Sequence, residues 1–303
     1  MKKSILFIIA VTTLSCSENK ADFKSEIPHY QEFITASYEL YLTQNEQNPL
    51  LILFPDLGGN AESTKESFNI LSTAKEANVS VLIINFNHHL FISKDDENLL
   101  TEVLNDVIKS HNLSPDKVVI GGFSSGGIVS SLWSNHLLEI NHAFKPQKTF
   151  AVDSPLDLVE LFNNVTDVNL ASHEVSMEEA EYIINYFEEA LNTKDSLIQR
   201  ITEVSPFDYS TLNFENIERL NEIDFRIYTE PDSLWWKENR GFEFKETDSY
   251  QLIRFAACAR EHGWDNLQLI QTTNKGYRSN GQRHPHSWSI VDPRELIGWL
   301  LKK

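Results

Sequence analysis

The sequence predicts an α/β fold: a mostly parallel central sheet with helices on both faces. Three observations lead there. Short apolar runs alternate with segments of helical spacing from about residue 38 onward, and such alternation builds parallel sheets covered on both sides. The run that starts at Lys117 ends in Gly122-Phe123-Ser124-Ser125-Gly126 and passes directly into the apolar stretch Ile128–Trp133, which reads as strand, sharp turn and helix. About 70 residues separate Asp153 from Asp224, whereas connections in such units usually take about 2–6, so an insert is expected there.

The chain opens with MKKSILFIIAVTTLSC at residues 1–16. Lys2 and Lys3 form a positive end, and the apolar run Ile5–Val11 is too short for a permanent membrane span. Thr13-Leu14-Ser15-Cys16 resembles a bacterial lipobox, with Thr13 where leucine is usual. That resemblance implies lipidation of Cys16 and a lipid-anchored place in the cell envelope, with a secreted or periplasmic protein as the alternative. Residues 17–27 are polar and charged and read as a flexible tether. The folded domain is expected over 28–303.

Strands are expected at Tyr38–Leu42, Pro49–Phe54, Val79–Phe86, from Lys117, and at Lys148–Val152, Phe225–Thr229 and Leu267–Gln271. Each is a short apolar or alternating run bounded by turn-forming residues. Pro49–Phe54 runs into the glycine loop Pro55-Asp56-Leu57-Gly58-Gly59-Asn60, and helical spacing follows over Ala61–Lys75. Asn98–Ser110 places Leu99, Leu100, Val103, Leu104, Val107 and Ile108 at helical intervals. The insert, 154–223, reads as helical at Leu156–Asn163, Met177–Asn192 and Ser210–Leu220. A further helical pattern surrounds Cys258, which is expected to be a buried small hydrophobe. Pro293–Leu301 closes the chain as a helix.

Composition narrows the function. The formal net charge is −18, which repels nucleic acid and disfavours a peripheral hold on anionic lipid. Two cysteines give no disulfide framework. His88 and His89 lack zinc-site spacing, and neither HExxH, CxxC, GxGxxG nor a Walker pattern occurs. No metal or cofactor is expected.

The elbow carries the chemistry. A serine held in a strained turn needs neighbours without a Cβ, which Gly122 and Gly126 supply. The helix start beneath it offers free N–H groups to a developing oxyanion. Ile120-Gly-Gly-Phe-Ser-Ser-Gly-Gly127, together with the Pro55–Asn60 loop, resembles the α/β-hydrolase superfamily. Its esterase branches, of the carboxylesterase and acyl-thioesterase kind, carry a similar G-G-F-S-x-G-G and an H-G-x-G-G-type loop. The order of elements matches over most of residues 45–303, while only the elbow is specific in sequence. Pro55-Asp56 stands where the family has His-Gly, and the long insert is unlike the compact thioesterases. The resemblance implies the α/β-hydrolase fold with a helical insert, or lid, after the fifth predicted strand. It also implies serine hydrolysis of a carboxylic ester or related acyl compound through an acyl-enzyme. An amidase or exopeptidase with the same triad, or a catalytically silent binding lipoprotein on this fold, are the alternatives.

In that arrangement the triad runs Ser, acid, His along the chain. Ser124 is then the nucleophile. Of His173, His262, His284 and His286, the loop before the last helix holds two; His286 is the expected base and His284 the reserve. The acid is expected after Phe225–Thr229, at Asp232 or alternatively Glu230, with Asp153 a third choice. The expected oxyanion donors are the N–H groups of Ser125 and Leu57, with Gly58 as the alternative to Leu57. Asn87, Trp235 and Trp236 are candidates for contact with a small acyl substrate.

Overall fold

The computed structural model describes residues 30–167, 174–192 and 196–302. The leader with Cys16, the tether at 17–27 and His173 lie outside the described residues.

Among the described residues, eight strands form one sheet: β1 Gln31–Ile34, β2 Tyr38–Leu42, β3 Leu50–Phe54, β4 Ser80–Ile84, β5 Val118–Phe123, β6 Lys148–Val152, β7 Asp224–Thr229 and β8 Leu267–Gln271. Their order is β1-β2-β4-β3-β5-β6-β7-β8. β2 runs antiparallel to β1 and β4, and all other pairs are parallel. Every residue of β3, β4, β5 and β6 is buried. That explains why their apolar residues run together and do not alternate with polar ones, since both sheet faces are covered. Leu50, Ile52 and Phe54 join the core on one face, and Leu51 and Leu53 join the core on the other. β1 was not anticipated. Its residues QEFI are mostly exposed, and pairing with β2, Gln31 opposite Leu42, makes it a strand.

The chain leaves β3 toward β4 on one side and returns to β5 on the other. The order therefore reverses between β3 and β5, the position where open α/β sheets leave a crevice at the carboxyl ends of their strands. The glycine loop after β3 and the elbow after β5 flank that crevice.

The segment expected as one helix over Ala61–Lys75 is two, α1 Ala61–Ser67 and α2 Ile70–Glu76. The break is at Phe68, whose extended backbone lets its ring stack on Trp288 at 4.5 Å. α3 Lys94–Ser110 begins earlier than expected, because Ser93 and Asp96 form a capping box. α4 Ser125–Glu139 is buried from Ser125 to Leu138, since it crosses the centre of one face. Between β6 and β7 run α5 Leu158–Asp167, α6 Glu174–Ala190, α7 Leu197–Val204 and a 3₁₀ turn at Glu215–Glu222. α7 was not anticipated, and the last expected helix of the insert is that 3₁₀ turn. α8 Ser233–Arg240, α9 Asp248–Glu261 and α10 Pro293–Leu301 complete the order. Cys258, on α9, is half-buried and not enclosed as expected. No helix among the described residues is long and apolar enough to cross a membrane.

Candidate active site

The elbow is sterically determined. A Cβ on Gly122 would stand 2.2 Å from the carbonyl oxygen of Gly126, and one on Gly126 would stand 2.3 Å from that of Pro55. Both contacts are with backbone, so no side-chain movement relieves them. Ser124, between them, has φ 54° and ψ −124°. A non-glycine residue there costs about 1–3 kcal/mol, which the surrounding packing must offset. The Ser124 N–H donates to the Val152 carbonyl at 2.9 Å, tying the turn to β6. Ser125 opens α4, where backbone N–H groups have no acceptor within the helix.

The glycine loop is fixed from two sides. Asn60 caps α1 in a reciprocal box with Ser63, and the Ala61 N–H donates to Asn85 at 2.8 Å. Asn87, a candidate for substrate contact, instead donates from Nδ2 to the Gly59 carbonyl. Burial raises the carboxyl pKa of Asp56, against its own backbone hydrogen bond and the charges of His286 and Arg278.

His286 reaches the elbow through packing. Its ring lies 4.5 Å from that of Phe123, the residue before Ser124. Its Nδ1 donates to Asp153 Oδ2 at 2.8 Å. Asp153 is 1% exposed and accepts a second hydrogen bond on Oδ1 from the Thr229 hydroxyl at 2.5 Å. The carboxylate on the histidine ring is thus Asp153, which corrects the expectation of Asp232 or Glu230. Asp232 accepts from Arg283 at 2.6 Å and caps α8 through the Trp235 N–H. Glu230, 1% exposed, pairs with Arg283 at 2.5 Å and accepts from Thr272 and the N–H groups of Lys275 and Gly276. Arg283 also donates to the Gly276 carbonyl. The two expected acids therefore brace the loop that carries His286.

His284, the reserve base, is buried. Its Nδ1 donates to the His286 carbonyl at 2.9 Å, and its ring packs 4.5 Å from Trp235. Burial, reinforced by the charges of His286, Arg278 and Arg240, pushes its pKa down to about 3. It is a neutral strut for the loop. For His286, burial alone would lower the pKa. The Asp153 hydrogen bond and the charges of Asp153, Asp248 and Glu179 outweigh it and raise the value to about 9.

A cavity of about 130 Å³ adjoins these groups. Ser124, Ser125, Leu57 and His286 all line it, so the residues expected for nucleophile, oxyanion donors and base border one cavity. Leu161 and Val165 of α5 and Ala180 and Ile183 of α6 supply apolar surface from the insert. Trp236 and Phe242, stacked at 5.8 Å, add an aromatic side. Trp235 is absent from that lining and packs on His284 instead.

Asp248 lines the cavity too, with Oδ2 3.6 Å from His286 Nδ1. Burial, with the charges of Asp153 and Glu179, pushes its pKa up to about 7, while His286 opposes the rise. Asp153, Asp248 and His286 bring three donor atoms within 4.8 Å, a spacing that could suit a cation. Both Asp153 oxygens are already engaged, by Thr229 and by His286 Nδ1. A metal would have to break that pair, so the set fits proton handling better. Sequence reasoning ranked Asp153 third, although Asp153-Ser154-Pro155 at a strand end was a usable signal. It missed Asp248 entirely, because an acid in a first helical turn reads as a dipole partner.

No family model and no curated protein matches the chain by sequence. Solved structures do match. Esterase B from Lactobacillus rhamnosis, inhibited by a tributyrin phosphonate, is 12% identical with a TM-score of 0.53, over 91% of this chain and 85% of that one. An S-formylglutathione hydrolase from Agrobacterium tumefaciens is 12% identical, TM-score 0.53, over 89% and 92%. An esterase of the bacterial hormone-sensitive lipase family is 14% identical, TM-score 0.52, over 91% and 83%. The chain has the α/β-hydrolase fold. Within that fold the elbow after β5, the His286 loop before the last helix and the crevice at the β3/β5 reversal occupy one edge of the sheet.

Proposed function

We propose that this protein is a serine hydrolase of carboxylic esters. One observation carries the reading: Ser124, strained at the elbow, lines the same cavity as His286, whose ring is held by the buried Asp153. The solved esterases of the same fold support it. In this mechanism the Ser124 hydroxyl attacks the ester carbonyl, and the Nε2 atom of His286 takes its proton. Asp153 fixes the tautomer and stabilises the imidazolium. The N–H groups of Leu57 and Ser125 receive the oxyanion. His286 then protonates the leaving alcohol, and water, activated by the same ring, releases the acid. The apolar side of the cavity suits the acyl or alcohol chain of a small ester.

A fluorophosphonate probe tests this directly. It should label the wild type on Ser124, and Ser124→Ala should lose both labelling and hydrolysis of short-chain esters while keeping its circular dichroism. Undiminished labelling of the alanine variant would remove Ser124 from the role.

We also propose that Cys16 is lipidated and anchors the protein in a bacterial envelope, which Lys2-Lys3, the short apolar run and the lipobox-like Thr13–Cys16 support. Cys16→Ser should release the protein from the membrane fraction. Absence of labelled fatty acid on the wild type would leave plain secretion.

A further inference from the structure

We propose that Asp248 is a second acid for His286, a positioning residue that shares the imidazolium with Asp153. The inference rests on the hydrolase reading, and it concerns what stabilises the base. Asp153 Oδ2 and Asp248 Oδ2 lie 2.8 and 3.6 Å from the same ring nitrogen, His286 Nδ1. They arrive from different elements, one from the end of β6 and one from the first residue of α9.

Packing sets the separation. The buried Thr247 caps α9 by accepting the Tyr250 N–H, which holds Asp248 in the first turn. Its neighbour Ser249, 1% exposed, shares a 2.7 Å hydrogen bond with Thr229, whose hydroxyl donates to Asp153 at 2.5 Å. A chain of Ser249, Thr229 and Asp153 therefore ties the start of α9 to the first acid. An acid in a first helical turn usually faces water. Asp248 instead lines the cavity with Ser124 and His286.

The consequence is electrostatic. Two carboxylates this close repel unless a cation lies between them. His286 becomes that cation when it takes the Ser124 proton, so the pair favours the charged intermediate more than one acid would. The other ionisable groups acting on His286 are Glu179 from α6, Asp56 from the glycine loop and His284 from its own loop. Of the carboxylates, Asp153 and Asp248 stand at ion-pair distance.

Two variants separate charge from structure, because Asp248→Asn keeps the shape and Asp248→Glu keeps the charge. The His286 ring titration is followed by NMR on histidine-labelled protein, assigned with His286→Gln. The Asn variant should titrate lower than wild type by on the order of one pH unit, and the Glu variant close to wild type. The acid limb of kcat/KM should move with the ring. In an Asp153→Asn background, Asp248→Asn should remove roughly a further tenfold of the residual activity. A ring titration that coincides in wild type and Asp248→Asn would overturn the proposal, whatever the activity. Failure of fluorophosphonate to label the wild type would instead strike the hydrolase reading, and with it the catalytic meaning of the pair.

Discussion

β6 and β7 lie side by side in the sheet, and each ends in carboxylates at the same edge: Asp153 after β6, Glu230 and Asp232 after β7. Val152 pairs with Tyr228, so Asp153 comes abreast of Thr229 and takes its hydroxyl. Its other oxygen faces the ring of His286. Glu230, one residue further along, meets Arg283 and two backbone N–H groups. Asp232, after Pro231, meets the same arginine. One pair of strand ends thus supplies both a carboxylate for the His286 ring and a brace for the loop that presents it. The partner decides the role, and a one-residue difference in register decides the partner.

The sharpest test of that division is Asp153→Asn against Asp232→Asn. The first should lower kcat by about 10³–10⁴, because an amide favours the wrong histidine tautomer. The second should cost less than about threefold, and little stability, since asparagine also caps a helix well. A reversal of the two in steady-state kinetics would break the comparison.

The pH profile comes next in size. In the proposed mechanism His286 must be neutral to take the serine proton, and its pKa is raised to about 9. kcat/KM should therefore climb from neutral pH toward pH 9, about tenfold per unit below the pKa. A flat profile above pH 7 would contradict the Asp153 pairing. The sign for stability runs the other way. A folded pKa above the unfolded value gives stabilisation that is full below about pH 6.5 and lost as pH rises through the folded value. Urea midpoints should fall across that window, and less so in His286→Gln.

The brace gives the third effect. Arg283→Met leaves Glu230 buried without its cation and should destabilise the fold by about 3 kcal/mol in urea unfolding. Because the loop also carries His286, kcat should drop roughly tenfold. Wild-type stability in that variant would mean that the backbone donors at Lys275 and Gly276 hold Glu230 unaided. In Arg283→Met/Glu230→Gln, which removes the buried charge, part of the stability should return.

What the sequence determined by itself was local in its physics. The short runs at Leu50–Phe54, Lys148–Val152 and Leu267–Gln271 announced strands because an apolar or alternating pattern, bounded by turn-forming residues, is complete within five consecutive residues. The elbow was legible because Gly122, Ser124 and Gly126 answer steric demands made inside five consecutive residues. His286 could be narrowed to one loop by its place before the closing helix. The edge strand β1 escaped notice, having little apolar pattern and taking its identity from β2. The tertiary structure alone decided which carboxylate meets the His286 ring. Asp153, Glu230 and Asp232 are all short-range plausible, and nothing near them in the chain states which faces an imidazole 133 residues from Asp153. Strand register and the Arg283 brace settle that question, and the capped start of α9 brings Asp248 to the same nitrogen, because side-chain partnership across a sheet edge is fixed by packing and not by sequence distance.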